Sequence, residues 1–476
     1  VSALIDDQLT GIENLDEVTQ GLPQNALTVI VGAPGCGKTT LAMQCAAHAA
    51  RTGRDVLFLT AFSVSNEKLM QHMDGFTFFD PTVVGTEINM LSLKALMHLD
   101  AESMVRTIFS SAVGKKKPLL ILDGYRGFRS VMGSHAAQQF LSILAAQLPY
   151  FDASCIVTAE AETMEMRDYE ELSTADVIMI LSRIHVGPAR YRLLEVAKVR
   201  GHAFKEGPHG MDINSDGIVI YPRLATILPP DEPKRYDERQ RFNLPELDLM
   251  LNGGLPRNTT TVVFGEPGTG KTMLSLHYLA AGASLGEKGL FVSFHETADE
   301  LVHRAESLGI PLAHAVADGT VEIIRWTPIE LHPDRLAWEI SRRVLDGPVR
   351  RLVIDDVAEM VRAASVLGHE IDYLMAFFEF MRRVGTSVIM LQPGEINAGS
   401  YGAPISLYST YNRILLRRVE YNAGWFRVLS VLSMQSSSHD ASIREFRIQP
   451  DGIHILNLKQ SDNTVLAEIA REHRSG

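Results

Sequence analysis

The chain has 476 residues, enough for several sizeable cores, and its 46% hydrophobic and 21% charged residues exclude disordered and fibrous classes. A formal net charge of −12 disfavours a broad nucleic-acid footprint, which clustered Lys and Arg would have to supply. The opening VSALIDDQLTGIENLD is acidic where a signal peptide is basic, and no apolar run approaches the roughly 18 residues of a membrane span, so a cytoplasmic protein is expected.

In chain order, GLP at Gly21 to Pro23 leads into the apolar run LTVIV, the glycine-rich loop VGAPGCGKT and the helical stretch TLAMQCAAHAA. The runs DVLFLT, PLLILD and SCIVTA follow, separated by longer helical stretches. Short β-branched runs alternating with helices predict a mostly parallel sheet covered on both faces. DVIMILSRI and YRLLEVAKVRG then read as added antiparallel strands. From Pro222 to Arg241 the chain is rich in Pro and charge and has no sustained apolar period, as expected of a linker. A boundary near Pro229 gives two domains, 1–228 and 229–476.

The same order then restarts. GLP recurs at Gly254 to Pro256 and the loop recurs as FGEPGTGKT, its lysine Lys271 lying 233 residues after Lys38. TTVVF, GLFVSF, RLVIDD and TSVIML repeat the strands, and NRILLRRVE and FRVLSVLSM repeat the added ones. Self-similarity of this length fixes the architecture as a duplication. The fold class is therefore α/β, with two tandem RecA-like P-loop domains, each a mostly parallel twisted sheet flanked by helices.

Both loops match G-x-x-x-x-G-K-[ST] between a strand and a helix. The first offers Gly32, Gly35, Cys36, Gly37, Lys38, Thr39 and Thr40, and the second offers Gly265, Gly268, Thr269, Gly270, Lys271, Thr272 and Met273. In such a loop, backbone N–H groups converge on phosphate oxygens, the lysine neutralises β/γ charge and the hydroxyl ligates Mg²⁺. Each half is expected to bind one ATP with Mg²⁺. A carboxylate at the end of a later strand would hold the metal through water: Asp123 in ILDG, and either Asp355 or Asp356 in VIDD. Cys36 inside the first loop reads as a small residue in a tight turn. With Cys45 and Cys155 it is too unpatterned for a disulfide framework or zinc site, so all three read as free thiols.

The duplicated loops, AKVRG at Ala197 to Gly201, HDASIREF at His439 to Phe446 and the two GLP turns together resemble the KaiC family of bacterial clock ATPases and autokinases over nearly the whole chain. The resemblance implies a homohexamer of two stacked rings with ATP between neighbouring copies. It also implies a KaiB-like partner and a signalling kinase. Family members carry paired glutamates after the second strand, where a carboxylate orients or deprotonates the attacking group. Here Phe62 and Ser63 stand in the first half, and His295 and Glu296 in the second, leaving Glu296 as the catalytic candidate. Lys198 and Arg200 match the basic pair that reaches a neighbour's γ-phosphate, whereas the second half has Ser433 and Gln435 there.

The first site is thus expected to hold ATP firmly and hydrolyse it slowly, and the second to have a base without its usual fingers. The family also phosphorylates an adjacent Ser-Thr pair. The ungapped equivalents are Leu407 and Tyr408, with Ser409 and Thr410 two positions on as candidate acceptors. The tail VLAEIAREHRSG is shorter than the family's regulatory tail. Two other classes stay open: a nucleotide-gated scaffold with weak hydrolysis, and a RecA-like DNA motor, against which the acidic balance counts.

Overall fold

The computed structural model describes residues 9–61, 66–112, 114–161, 170–186, 189–231, 238–329, 331–366, 368–394, 412–421, 424–435 and 437–456. The chain divides into two compact units, residues 1–226 and 227–476.

In the first unit the strands are β1 (Leu27–Gly32), β2 (Val56–Thr60), β3 (Ile88–Ser92), β4 (Leu119–Asp123), β5 (Ser154–Glu160), β6 (Val177–Val186), β7 (Ala189–Val199), β8 (Pro208–Asn214) and β9 (Gly217–Tyr221). They form one sheet in the order β3-β2-β4-β5-β1-β6-β7-β8-β9. Strands β1, β2, β4 and β5 are buried along nearly their whole length because both faces are covered, while β3 at the sheet edge is partly exposed. Ile30, Phe58, Ile121 and Ile156 point into a core shared with the helix Lys38–Arg51. Their neighbours Val29, Val31, Leu57, Leu59, Leu120 and Leu122 point into a second core, beneath the helices Ala101–Ser110 and Ser134–Gln147. The two-residue alternation of a strand assigns each side chain to its core. The helix Lys38–Arg51 is alanine-rich and buries nearly its whole circumference, so small side chains let it lie close against the sheet.

The second unit repeats the plan. A short antiparallel pair, β10 (Arg239–Gln240) with β11 (Leu255–Pro256), precedes β12 (Thr260–Gly265), β13 (Lys288–Ser293), β14 (Val321–Arg325), β15 (Val349–Asp355) and β16 (Ser387–Pro393). These are followed by β17 (Asn412–Tyr421), β18 (Gly424–Ser433), β19 (Arg444–Gln449) and β20 (Gly452–Leu456). The sheet order is β14-β13-β15-β16-β12-β17-β18-β19-β20, the same permutation as in the first unit. Val263, Phe291, Val353 and Ile389 pack one face against the helix Lys271–Ala283.

Both added strands of each half were expected to be antiparallel. The first of each pair is not: β6 runs parallel to β1, and β17 runs parallel to β12. The reversal comes one strand later, at β6–β7 and β17–β18. Tight connections, Val186 to Ala189 and Tyr421 to Gly424, permit only the antiparallel hairpin. Longer connections, residues 161–176 and 394–411, precede β6 and β17, and parallel pairing needs connections of that length. Among the described residues, no helix is long and apolar enough to cross a membrane.

Candidate functional site

In each unit the strand-to-helix loop leaves the sheet at the C-terminal ends of the parallel strands, the edge where open α/β sheets bind ligands. The residue before each helix, Gly37 or Gly270, has φ of 111° or 106°. A Cβ on Gly37 would lie 2.8 Å from Ile213 Cδ1, and one on Gly270 would lie 2.7 Å from Ile448 Cδ1. The left-handed backbone therefore demands glycine here, and a Cβ would also push these isoleucine ends aside.

Around the first loop lies a cavity of about 540 Å³. Gly35, Gly37, Lys38, Thr39 and Thr40 line it on one side, and Asp123, Thr158 and Glu160 on the other. Lys38 is buried, its ammonium donating to the carbonyls of Gly32 (2.8 Å) and Ala33 (2.9 Å) and approaching Cys36 Sγ at 3.8 Å. Thr39 Oγ1 donates to Asp123 Oδ1 at 2.9 Å, and Thr158 Oγ1 donates to the same oxygen at 2.6 Å. Thr158 is the β5 register partner of Asp123 on β4, which is why its hydroxyl meets that carboxylate. Burial pushes the Asp123 carboxyl up, against the two hydroxyl hydrogen bonds, and the Glu160 charge adds a smaller push in the same direction.

Around the second loop the cavity is about 400 Å³. Lys271 Nζ donates to Gly265 O (2.6 Å) and Glu266 O (3.0 Å), and Thr272 Oγ1 donates to Asp355 Oδ2 at 2.8 Å. Asp356 turns to a different task, capping the helix Val357–Ser365 by accepting from Glu359 N at 3.2 Å. Burial raises the Asp355 carboxyl and lowers the Lys271 ammonium. Met273 lines this cavity, while Thr269 is buried behind the loop with its hydroxyl on Glu266 O at 2.8 Å.

The carboxylate predicted for catalysis, Glu296, lines the second cavity but is held in an ion pair by both terminal nitrogens of Arg304. Arg304 stands on the helix Ala298–Ser307 and lines the cavity as well. The sequence offered no sign of this pair, because a separation of eight residues marks neither a helical nor a strand neighbour. His295 Nε2 lies 3.8 Å from Asp356 Oδ2 and 3.9 Å from Glu359 Oε1.

Lys198 and Arg200 do not line the first cavity of their own chain. Their side chains lie on the turn before β6: Lys198 Nζ donates to Ser173 O (3.2 Å), and Arg200 donates to Ser173 O (3.0 Å) and to Asp176 Oδ1 (3.2 Å). At the matching place in the second unit, Ser433 pairs in register with Arg413 and the Gln435 amide donates to Asn412 Oδ1 at 3.2 Å. Phe62, Ser63, Ser409 and Thr410 lie outside the described residues.

Mg²⁺ bound with a nucleotide takes oxygen donors in near-octahedral array and keeps several waters, using one or two protein groups plus phosphate oxygens. A threonine hydroxyl beside a strand-end carboxylate, found identically at Thr39–Asp123 and Thr272–Asp355, is a donor set of that kind. No cluster of three His, Cys, Asp or Glu ligands occurs among the described residues, so an all-protein metal cage is not the alternative there.

A family model described as the KaiC ATPase matches residues 9–225 and again 242–460, one copy on each sheet and its loop. The chain belongs to the KaiC family. Among its relatives, the circadian clock protein KaiC3 of Synechocystis sp. (strain PCC 6803) is 26% identical over 471 residues, covering 94% of this chain and 91% of the relative. The circadian clock oscillator protein KaiC of Picosynechococcus sp. (strain PCC 7002) is 24% identical over 470 residues, covering 94% and 89%. KaiC2 of Synechocystis is 22% identical over 479 residues, covering 97% and 83%. A KaiC-family chain at this distance keeps the duplicated fold and both loops, while the residues around the loops differ between its two halves.

Proposed function

We propose that the chain is a two-site, Mg²⁺-dependent ATPase that assembles into a homohexameric double ring with nucleotide between neighbouring copies. The observation that carries this reading is the repeated triad of loop lysine, hydroxyl and strand-end aspartate: Lys38–Thr39–Asp123 and Lys271–Thr272–Asp355. Loop amides and lysine bind the β/γ-phosphates, and the Thr–Asp pairs hold Mg²⁺. Bound Mg²⁺ neutralises charge that develops on the transferring phosphoryl group.

In the first site Lys198 and Arg200 of a neighbouring copy complete the cavity, since a RecA-type site is open on one side. In the second, Glu296 positions the attacking group once its bond to Arg304 is released. Autophosphorylation at Ser409 or Thr410, a KaiB-like partner and a signalling kinase are further properties that the family resemblance carries to this chain. Loop lysines and metal-side aspartates retained in both halves favour catalysis over a purely structural nucleotide scaffold.

The purified protein, incubated with γ-labelled ATP and Mg²⁺, is expected to release labelled phosphate. Lys38→Ala and Lys271→Ala are each expected to remove one site's share, and the double variant all of it. Tight ATP binding with no phosphate release would instead make the chain a nucleotide-gated scaffold. Label recovered on the protein at Ser409 or Thr410 adds kinase activity; phosphate without protein label leaves the ATPase alone.

A further inference from the structure

We propose that Glu160 is the catalytic carboxylate of the first site, an assignment that rests on the ATPase reading above. The sheet order places β5 between β4, which ends in Asp123, and β1, which ends in the phosphate loop. All three strands run parallel, so their C-terminal ends share one edge. The last residue of β5 therefore stands between the group that holds the metal and the loop that holds the phosphates, where the γ-phosphate and its attacking water must lie. That residue is Glu160, paired in register with Gly32, the first glycine of the loop.

Two positions earlier on the same strand is Thr158, whose hydroxyl reaches Asp123. Residues i and i+2 of a strand project from the same face, so Glu160 leaves β5 on the side of Asp123. Both residues line the cavity with Lys38 and Thr39. Asp123 and Glu160 are the two acidic side chains in that lining, Asp123 beside the Thr39 hydroxyl and Glu160 level with Gly32.

The second unit supports the assignment by contrast. There β16 takes the place of β5, and the residue in register with Gly265 is Pro393, which has no acid or base function. Its carboxylate, Glu296, follows β13 instead. In the first unit the positions after β2 are Phe62 and Ser63, neither of them acidic. The carboxylates that join the metal-side aspartates thus come from different strand ends: Glu160 from β5 in the first cavity, and Glu296 after β13 together with the helix-capping Asp356 in the second.

In the reaction, the oxygen of a water bonds to the γ-phosphorus while the bond from that phosphorus to the β–γ bridging oxygen breaks. ADP leaves with the bond's electron pair, the Glu160 carboxylate takes a proton from the water, and that proton passes to solvent as phosphate departs. Glu160 orients the water before it accepts the proton.

The full-length Lys271→Ala protein isolates the first site. In that background Glu160→Gln is expected to lower phosphate release by about 10²-fold or more, the usual yield of a positioned general base. Glu160→Asp is expected to recover part of the loss. Binding of a fluorescent ATP analogue with Mg²⁺ should stay within about twofold, which also reports that the variant is folded. Turnover within threefold of the parent would overturn the assignment. So would an equal loss of nucleotide affinity, or a large rise in the Mg²⁺ needed for half-maximal binding, either of which would move Glu160 into ligand or metal holding. A Lys271→Ala parent that binds ATP but releases no phosphate would overturn the ATPase reading of this site itself.

Discussion

Asp355 and Asp356 are chemically identical neighbours at the end of β15, and only their surroundings separate them. The Thr272 hydroxyl reaches Asp355, whereas Asp356 takes the amide of Glu359 at the start of a helix. With the first site silenced by Lys38→Ala, Asp355→Asn is expected to lower turnover by about 10²-fold or more, through lost stabilisation of developing phosphoryl charge. Asp356→Asn, which caps nearly as well, is expected to change turnover by less than about threefold and stability by under about 0.5 kcal/mol. Phosphate release and urea melts of the two variants check this. Equal loss in both would mean that the carboxylates share the metal.

At the scale of elements, the helix Glu370–Arg383 shows how a local charge cluster fastens a segment to its unit. Glu379 accepts from Arg382 (2.7 and 2.6 Å) and Arg383 (2.7 Å), while Arg382 pairs with Asp231 at 2.9 Å and Arg383 donates to Pro229 O at 2.8 Å. The hydrogen bonds from Arg382, ahead of the opposing effect of burial, lower the Glu379 carboxyl from 4.5 to about 2. A carboxyl depressed in the folded state stabilises it above the unfolded pKa, and that contribution fades as pH falls from about 4.5 towards 2. Glu379 is partly solvated, which limits the effect to about 1 kcal/mol or less. The urea midpoint of the wild type is therefore expected to fall more steeply between pH 5 and 3 than that of Glu379→Gln. Parallel curves would show that the cluster contributes nothing.

The same scale decides what could be read from the sequence. The phosphate loops, the alternation of strands and helices and the duplication are local patterns or repeats in register, and the sheets follow them. Three things were out of reach. The direction of β6 and β17 depends on which end of the sheet each strand starts from, a matter of pairing between distant segments. Glu160 gains its position only because β5 inserts between β4 and β1, a pairing of distant segments. An ending TAE is an ordinary strand end until that order is known. The ion pair of Glu296 with Arg304 was equally invisible, since nothing in the spacing of the two residues brings them together.

For the whole molecule, the proposed ring rests on groups that serve a site not their own. Arg200 lies 3.2 Å from Asp176 within its chain, an exposed pair worth under about 1 kcal/mol, so releasing it to a neighbour costs little. Arg200→Ala is expected to lower first-site turnover by about 10³-fold, as loss of an arginine finger does, and to leave thermal stability nearly unchanged. Mixing it with Lys38→Ala protein, which keeps its fingers but has no working first site, is expected to restore part of the turnover with Lys271→Ala present in both chains. Failure of that mixture would confine the fingers to their own chain.

The strand ends that meet Gly32 and Gly265, Glu160 in one half and Pro393 in the other, also bear on how such a chain can change over time. A freshly duplicated domain has a spare for every part. Once one copy has a proline where the other has an acid, the spare is gone, and damage to either half is no longer covered by its twin. With Glu160 as the first site's base, the two halves would be separate trades, each needing its own parts.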